Sequence, residues 1–198
     1  MKRILYLSFY FEPDLCAGSF RNTPLAVELA RQGMADKVEV DVVTTMPNRY
    51  STFSAVANSE TVTDNLRVKR IDIPKHNSGL VDQMFSFYSY FRGALKYIKD
   101  KEYDLVFASS SRLFTAYLGY FVAKKRGLKL YLDIRDIFVD TIQDVLKSKA
   151  LRWFLIPILK AIEKRTFGYA THINLISGGF QPYFERFSKS SQTHFTNG

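Results

Sequence analysis

The chain has 198 residues, with 28 Lys and Arg against 19 Asp and Glu, so its formal net charge is +9. Hydrophobic residues make up 46% of it, which is enough to bury a core and excludes disorder as a description of the whole chain. The single cysteine excludes an internal disulfide and a cysteine-built zinc cluster, and the basic charge favours anionic partners: nucleic acid, phosphorylated small molecules or an acidic membrane face.

The first predicted element is a buried strand over residues 4–9, where the sequence is almost continuously apolar. A turn-rich stretch follows, and then a helix that ends at Gly33, a residue suited to a helix C-cap. Two residues, Ser19 and Thr23, are equally good N-caps for this helix. A second strand over 38–44 completes a βαβ unit, for which we expect a right-handed crossover.

The remaining elements continue this alternation. Residues 46–65 carry little periodicity and are predicted to be a long loop, whereas 66–73 alternate in the manner of a half-exposed edge strand. The later predictions, in chain order, are a turn at 74–79, a helix at 84–98, a strand at 105–108, a helix at 114–125 stopped by Gly127, a strand at 128–134, helices at 140–148 and 150–167, a strand at 173–176, a short helix at 181–187, and a strand running into a turn at 193–198. Such alternation predicts a Rossmann-like α/β fold, a doubly wound and mostly parallel sheet with helices on both faces.

Ligands of such sheets bind at the carboxyl ends of the strands, so the loop after the first strand is a candidate site. It contains Asp14 and Gly18, followed by Ser19 and Arg21. A glycine ahead of a helix favours phosphate, because backbone N–H groups and the helix dipole both attract an anion. The spacing fits neither G-x-G-x-x-G nor a Walker A loop, so a plain turn glycine is an equally good interpretation, and Arg21 either reaches the same phosphate or is solvated.

Two later strand ends also carry candidate residues. Arg135 offers a fork for a phosphate or carboxylate, and the neighbouring Asp136 is suited to accept a hydrogen bond from a sugar hydroxyl or to act as a base. The alternative is an internal Asp–Arg pair with Asp136 capping a helix. Ser177 and Gly178 either hold an anion through backbone donors or form a plain turn before a helix.

Other chemistry is poorly supported by the sequence. The three histidines are widely spaced and have no neighbouring acidic or Cys residue to complete a metal-ligand set, so no metal site is expected. No G-x-S-x-G nucleophile elbow is present, and Cys16 is interpreted as a small buried thiol.

The stretch 147–167 is basic, with Glu163 as its single acidic residue, and is interleaved with apolar residues around Trp153. This composition is typical of a helix lying on an anionic membrane; the alternative is a helix packed on the sheet with a solvated basic face. No apolar run reaches the roughly 18 residues of a membrane span. We therefore predict a cytoplasmic protein, with peripheral contact at the inner face of the cell membrane.

Taken in order, four stretches resemble the amino-terminal, acceptor-side domain of GT-B glycosyltransferases of family 4. They are Ser8-Phe9-Tyr10-Phe11-Glu12-Pro13-Asp14 with Gly18 and Arg21, Leu29-Ala30-Arg31-Gln32-Gly33 with Val40-Asp41-Val42-Val43-Thr44-Thr45, Asp133-Ile134-Arg135-Asp136-Ile137-Phe138, and Thr196-Asn197-Gly198. The Arg135-Asp136 pair, which replaces the His-Asp of many members, is similar to amino-sugar transferases of bacterial surface-polysaccharide synthesis. The chain departs from the family at Cys16-Ala17-Gly18, where many members have paired glycines.

The resemblance implies that residues 1–198 are one Rossmann-like domain and that a donor-binding carboxyl-terminal domain is absent from this chain, which would be inactive alone. It implies retaining transfer from a nucleotide-diphosphate sugar, without a tightly bound cofactor, to a sugar or polyprenyl-linked glycan. Catalysis falls to Arg135 and Asp136. The residues expected to contact donor phosphates or substrate are Asp14, Gly18, Ser19, Arg21, Ser177 and Gly178.

The competing hypothesis is a basic anion- or nucleic-acid-binding α/β module without catalytic activity. It predicts a steep salt dependence of binding. No recognition motif supports it, so we expect no nucleic-acid partner. A Rossmann-like oxidoreductase is a third hypothesis, weakened by the missing glycine fingerprint.

Overall fold

The computed structural model describes residues 1–47, 57–74, 80–110, 113–146, 148–187 and 189–196. The chain divides into two compact units, Met1–Leu105 and Val106–Gly198. Across both units the described residues form eight strands and six α-helices. Parts of the predicted 46–65 loop and 74–79 turn, and the end of the predicted 193–198 strand and turn, lie outside the described residues.

The first unit contains a four-stranded sheet in the order β3-β4-β2-β1. Its elements are β1 (Lys2–Ser8), α1 (Ala17–Gly33), β2 (Val38–Thr45), β3 (Glu60–Thr63), β4 (Leu66–Ile71) and α2 (Leu80–Ile98). β1, β2 and β4 are parallel, while β3 runs antiparallel to β4. The order places β1 beside β2, as the predicted βαβ unit requires.

Two sequence predictions about this sheet are wrong. The 46–65 segment is not all loop, because β3 lies within it, and β4 is not an edge strand, because β3 covers its outer side. β3 is exposed along most of its length and has the sequence Glu-Thr-Val-Thr. A short, exposed strand of this kind carries no apolar alternation to reveal it.

Helices cover both faces of the first unit's sheet. On one face, Asn22 of α1 contacts the side chains of Tyr6 and Ser8. On the other, Tyr97 of α2 lies against Lys69. Adjacent parallel strands pair in register, so Tyr6 and Lys69 belong to opposite faces of the pleat. The doubly wound arrangement is therefore confirmed here.

The beginning of α1 differs from both sequence alternatives. The N-cap is Cys16, and Ser19 occupies the third helical position, where its hydroxyl accepts the Cys16 N–H at 3.3 Å. A side chain at the third helical position that accepts the backbone N–H of the N-cap is one half of a capping box. Because serine is also a common N-cap residue, the sequence places the start of the helix three residues too late. The predicted end at Gly33 is confirmed. A side chain at Gly33 would place its Cβ 2.7 Å from that of Val38, so close packing requires the glycine.

The second unit has the strand order β5-β6-β7-β8. Its elements are β5 (Leu105–Ser110), α3 (Leu113–Arg126), β6 (Lys129–Ile134), α4 (Phe138–Val145), α5 (Lys149–Tyr169), β7 (His172–Leu175), α6 (Gln181–Phe184) and β8 (Ser191–His194). Short 3₁₀ turns, Gly178–Phe180 and Glu185–Phe187, flank α6. The predicted stop at Gly127 is confirmed, since this glycine follows α3 with φ of 67°.

The core of the second unit is built on one face of its sheet by α3, α5 and α6. Gly119 lets α3 approach β5 closely, since an added Cβ would lie 2.9 Å from Ala108. The rings of Phe167, Phe184 and Phe187 pack together, with centroids 5.0 to 5.9 Å apart. This aromatic cluster joins α5 to the α6 region and fixes the chain before β8.

Candidate active site

The loop after β1 gathers four of the predicted site residues at the carboxyl end of that strand. Asp14 is buried in the loop, while Gly18 and Ser19 lie buried in the first turn of α1. Arg21 follows in the same helix and is half-buried. The first turn of α1 contains no acidic residue, so the positive end of the helix dipole is not neutralised there.

The Ser19 side chain is used to fold this loop. Its hydroxyl is completely buried and bonds to the backbone carbonyl groups of Asp14 and Cys16. Gly18 is not a turn glycine, because it is helical, and among the described residues only Lys37 and Gly127 have positive φ. Phosphate contacts from Gly18 and Ser19 stay predictions, and for Ser19 the hydroxyl is already occupied.

A buried network that the sequence analysis missed holds the turn after β1. Asn22 donates from Nδ2 to Ser8 Oγ at 2.5 Å and to the Tyr10 carbonyl at 3.1 Å. Its Oδ1 accepts from the Tyr6 hydroxyl at 3.0 Å. Asn22 has no exposed surface, so these bonds are shielded from water. An Asn at a position where an amphipathic helix faces the sheet is the signal that could have identified it.

Further hydroxyl groups hold the start of the loop from the opposite side of the sheet. The Tyr90 hydroxyl lies 2.7 Å from the carbonyl oxygen of Val43 and 3.2 Å from that of Ser8. Tyr90 is completely buried, and burial raises the pKa of its phenol. Thr45 donates to the Phe9 carbonyl at 2.7 Å. The backbone that leaves β1 is therefore fixed by side chains from α1, α2 and β2.

Arg70 holds the middle of the loop from the end of β4. Its guanidinium donates to the Glu12 carbonyl at 2.7 Å and to the Asn58 carbonyl at 3.0 Å, and pairs with Glu60 at 3.2 Å. The side chain is 3% exposed, and Nη1 has no partner among the described residues. In β4, every second residue faces the core, and Arg70 follows Leu66 and Val68 in this series. This position in the sequence could have identified Arg70 as a buried cation.

In the second unit, the structure brings the other four predicted residues to one edge of the sheet. Ile134 and Leu175 are paired in register, so the loops after β6 and β7 leave the same edge side by side. These loops carry the predicted residues, which are Arg135, Asp136, Ser177 and Gly178. The structure therefore places the predicted catalytic pair beside two of the predicted phosphate- or substrate-binding residues, and the roles of all four stay predictions.

Arg135 and Asp136 begin the connection from β6 to α4. The Arg135 N–H donates to the Ser110 carbonyl of β5 at 3.0 Å, and Asp136 accepts from the Thr141 hydroxyl at 3.2 Å. The N-cap of α4 is Ile137, so the alternative of a helix cap by Asp136 is wrong. Both residues are half-exposed, and Arg135 Nε is buried.

Ser177 and Gly178 form the turn that follows β7. The Ser177 hydroxyl accepts the Gly179 N–H at 3.2 Å and caps the 3₁₀ turn. Gly178 is exposed, and an added Cβ would meet no atom within 4 Å. Close packing therefore does not require glycine at position 178. What Gly178 offers a ligand is its exposed backbone.

A second buried network underlies this edge. Asp133 accepts from the Ser109 hydroxyl at 2.9 Å and from Asn174 Nδ2 at 2.8 Å. Asn174 Oδ1 in turn accepts from the Thr193 hydroxyl at 3.1 Å and from the Phe195 N–H at 3.0 Å. The chain of bonds crosses β5, β6, β7 and β8. Asp133 is 1% exposed and anchors this strand end from below, whereas the neighbouring Arg135 and Asp136 are half-exposed.

The surface of α5 carries both apolar and basic side chains. Trp153 is 83% exposed and Phe154 61%, beside the exposed Arg152. Among the described residues, no helix has the length and apolar character needed to cross a membrane. Within the same residues, no group of three or more His, Cys, Asp and Glu side chains is placed to hold a metal ion.

The comparisons with known proteins match the fold. No protein-family profile and no curated sequence matches the chain. Sucrose-phosphate synthase from Thermosynechococcus elongatus superimposes with a TM-score of 0.65 at 12% identity, covering 99% of this chain and 48% of the synthase. A ugt transferase from Siraitia grosvenorii in complex with UDP gives 0.56 at 13% identity, over 100% of this chain and 51% of the other.

A third structure is a putative UDP-N-acetylglucosamine 2-epimerase from Listeria monocytogenes, with a TM-score of 0.55 at 9% identity over 96% of this chain and 43% of the epimerase. The chain thus spans about half the length of these three neighbours. The predicted Rossmann-like α/β fold is confirmed and matches GT-B structures. Because neighbours with this fold include transferases and an epimerase, the reaction has to be argued from the site.

Proposed function

We propose that residues 1–198 form the acceptor-side domain of a retaining, nucleotide-sugar-dependent glycosyltransferase, in the synthesis of a surface polysaccharide or lipid-linked glycan. The observation that carries the proposal is the clustering of Arg135, Asp136, Ser177 and Gly178 at one strand-end edge. This is where ligands bind in open α/β sheets, and the group combines a cationic fork, a carboxylate and exposed backbone donors. The fold shared with a UDP-bound transferase supports the same conclusion.

Arg135 and Asp136 are the proposed catalytic residues. In the reaction, the bond from the anomeric carbon to the donor phosphate breaks and a bond to the acceptor oxygen forms on the same face of the sugar. The acceptor proton leaves with the departing nucleoside diphosphate. Asp136 orients the acceptor hydroxyl by accepting a hydrogen bond, and Arg135 stabilises the negative charge that develops on the phosphate. No metal or tightly bound cofactor takes part in this scheme.

The β1–α1 loop is proposed to approach the donor diphosphate. Gly18 and Arg21 lie at the amino end of α1, whose positive dipole favours an anion, and Asp14 precedes them. We place the nucleotide-binding groups in a second α/β domain outside residues 1–198. The chain without that domain is expected to be inactive.

The acceptor is proposed to be a sugar or polyprenyl-linked glycan at the cytoplasmic side of an anionic membrane. The exposed Trp153 and Phe154 beside Arg152 on α5 support peripheral contact, since aromatic and basic side chains favour the headgroup region. No nucleic acid is required.

The test uses the protein that joins residues 1–198 to the donor-binding domain. A panel of nucleotide-diphosphate sugars is supplied with polyprenyl-diphosphate-linked sugar acceptors, and release of nucleoside diphosphate is measured together with the anomeric configuration of the product. We expect transfer with retention from at least one donor. Absence of both binding and turnover across the panel would overturn the assignment, and a product of inverted configuration would overturn the mechanism.

A further inference from the structure

Two adjoining shallow surface cavities, open to solvent and of about 470 and 570 Å³, lie along the exposed side of α5. Lys164 and Gly168 of α5 line both cavities, so the two cavities meet at this helix. We name the pair the α5 groove. Its cationic lining residues are Lys124, Lys160, Lys164, Arg165, Arg186 and Lys189.

The groove is at the opposite end of the second unit's strands from Arg135 and Ser177. It contains the last turns of α5, which ends at Tyr169 just before β7 begins at His172. The helix α3 contributes Lys124, close to where that helix ends ahead of β6. A ligand in the groove would therefore occupy a different site from the proposed acceptor, and the inference is independent of the proposed glycosyl transfer.

The groove has an excess of positive charge that local structure does not account for. Lys124 lies in the last turn of α3, where the helix dipole favours a cation. Lys160, Lys164 and Arg165 lie before the last turn of α5, beyond the reach of that effect. In the described part of the chain, neither these three residues nor Lys189 makes a salt bridge with a carboxylate.

Among the described residues that line the groove, Glu163 is the one acidic residue, and its carboxylate already has partners within the protein. It is 3% exposed, and its carboxylate accepts from the Tyr183 hydroxyl at 2.8 Å and pairs with Arg186 at 2.8 Å. Burial raises the pKa of Glu163 above that of an ordinary carboxyl group. The carboxylate therefore holds Arg186 in place and, as a single negative charge, offsets only part of the positive charge of the groove.

Arg186 is held in a fixed position with donors to spare. Its guanidinium lies 3.8 Å from the ring centre of Tyr183 and 5.0 Å from that of Phe187. Its hydrogen bond within the described residues goes to Glu163 through Nη2, and 47% of the side chain is exposed. A planar, pre-positioned guanidinium with free N–H groups is suited to a phosphate.

We propose that the α5 groove binds an anion carrying two or more phosphate groups. One phosphate occupies the cavity of Arg186, Lys160 and Lys189, another occupies the cavity of Lys124 and Arg165, and Lys164 contacts both. The division into two cavities around a shared lysine favours a multiply phosphorylated ligand over a single phosphate. Such a ligand is supplied either by a soluble molecule or by a phospholipid headgroup, and both offer the same chemistry to the groove.

The test measures binding of inorganic tripolyphosphate to the 198-residue chain by titration calorimetry at low salt. The variant is Lys164→Glu, and the matched control is Lys2→Glu, which makes the same charge change at an exposed residue of β1 in the other unit. We expect at least about a tenfold loss of affinity for Lys164→Glu and at most about a twofold loss for the control. Equal losses, or no binding by the unchanged protein, would overturn the proposal.

Glu163→Gln separates a ligand site from a merely structural cluster. Removing the buried negative charge is expected to strengthen tripolyphosphate binding by about threefold or more, because the lysines then face no opposing charge. A variant that only loosened α5 would bind more weakly and melt earlier. Weaker binding with an unchanged melting curve would contradict the proposal.

A second arm identifies the source of the phosphates. The chain is mixed with phosphatidylcholine vesicles with and without cardiolipin, whose headgroup carries two phosphates, and sedimentation is measured with and without tripolyphosphate. Sedimentation with the acidic vesicles that tripolyphosphate reverses supports a headgroup, while tripolyphosphate binding without sedimentation supports a soluble ligand. An eight-nucleotide single strand that binds more than about tenfold tighter than tripolyphosphate would instead identify a nucleic-acid surface and overturn the proposal.

Discussion

The two strand-end regions of this protein are built in opposite ways. In the first unit, the loop after β1 is fixed by buried side chains from α1, α2, β2 and β4, including Asn22 and Arg70. In the second unit, Asp136 and Gly178 remain half-exposed or exposed above a buried network centred on Asp133. In the first region, which we call the rigid platform, most polar groups are hydrogen-bonded within the protein. In the second region, exposed polar groups lie above a buried hydrogen-bond network.

The largest expected effect on this comparison is that of Asn22→Leu. The change removes three buried hydrogen bonds, to the Tyr10 carbonyl, the Ser8 hydroxyl and the Tyr6 hydroxyl, which should lower the free energy of unfolding by about 3 kcal/mol. Urea denaturation followed by circular dichroism measures this. Gln32→Leu, at an exposed position of the same helix, should stay within about 0.5 kcal/mol. Similar values for the two variants would contradict the view of a rigid platform.

Arg70→Met should come next, with a loss of about 2 kcal/mol, because the Glu12 and Asn58 carbonyl groups lose a charged donor. The matched variant is Arg67→Met, on the opposite face of the same strand and 41% exposed, with an expected loss of about 0.5 kcal/mol. Hydrogen exchange should also show faster exchange of the loop amide of Asp14 in the Arg70 variant alone. Unchanged exchange there would show that Arg70 does not position the loop.

A pair of serine variants compares the two regions directly. Ser19→Ala should cost about 1 kcal/mol, because its buried hydroxyl bonds the loop carbonyl groups and the Cys16 N–H. Ser177→Ala should cost less than about 0.5 kcal/mol, because its one capping bond is exposed. Thermal melting of both variants checks the order. A larger loss for Ser177→Ala would reverse the assignment of rigid and open regions.

The smallest effect concerns pH and His172. Its ring lies 4.5 Å from that of Tyr131, and burial lowers the pKa of the imidazole below its ordinary value of 6.5. The unfolded chain therefore binds a proton more readily than the folded one, so stability is retained above about pH 6.5 and falls as the pH decreases from there. Melting curves recorded between about pH 5 and 8 should show the melting temperature falling as the pH decreases, and His172→Gln should reduce this dependence. An unchanged slope in the variant would assign it to other groups.

The sequence predicts much of this fold because buried strands and helix stops carry strong local signals. The apolar run of β1 and the glycines at 33 and 127 place three elements correctly. β3 is not predicted because a short exposed strand shows no alternation of apolar and polar residues. Cys16 is not predicted as the N-cap because Ser19, three residues later, is a residue type more often found at N-caps.

The site is predicted less completely for a different reason. Arg135 and Ser177 could be selected because both follow predicted strands, and the adjacency of β6 and β7 then brings them together. Asn22, Arg70 and Asp133 act through partners on other elements, and no local pattern predicts such contacts. The α5 groove could not be predicted for the same reason, because Arg186 contacts Glu163 from a separate segment of the chain.

The central claim is that the open edge of the second unit carries the chemistry of sugar transfer. It is tested most directly by kcat/KM for transfer in the protein that includes the donor-binding domain, compared between Arg135→Ala and Arg31→Ala, a variant at an exposed arginine of α1. We expect a loss of about 10²-fold or more for Arg135→Ala at unchanged melting temperature, with Arg31→Ala near the unmodified protein. Near-normal transfer by Arg135→Ala would contradict the account.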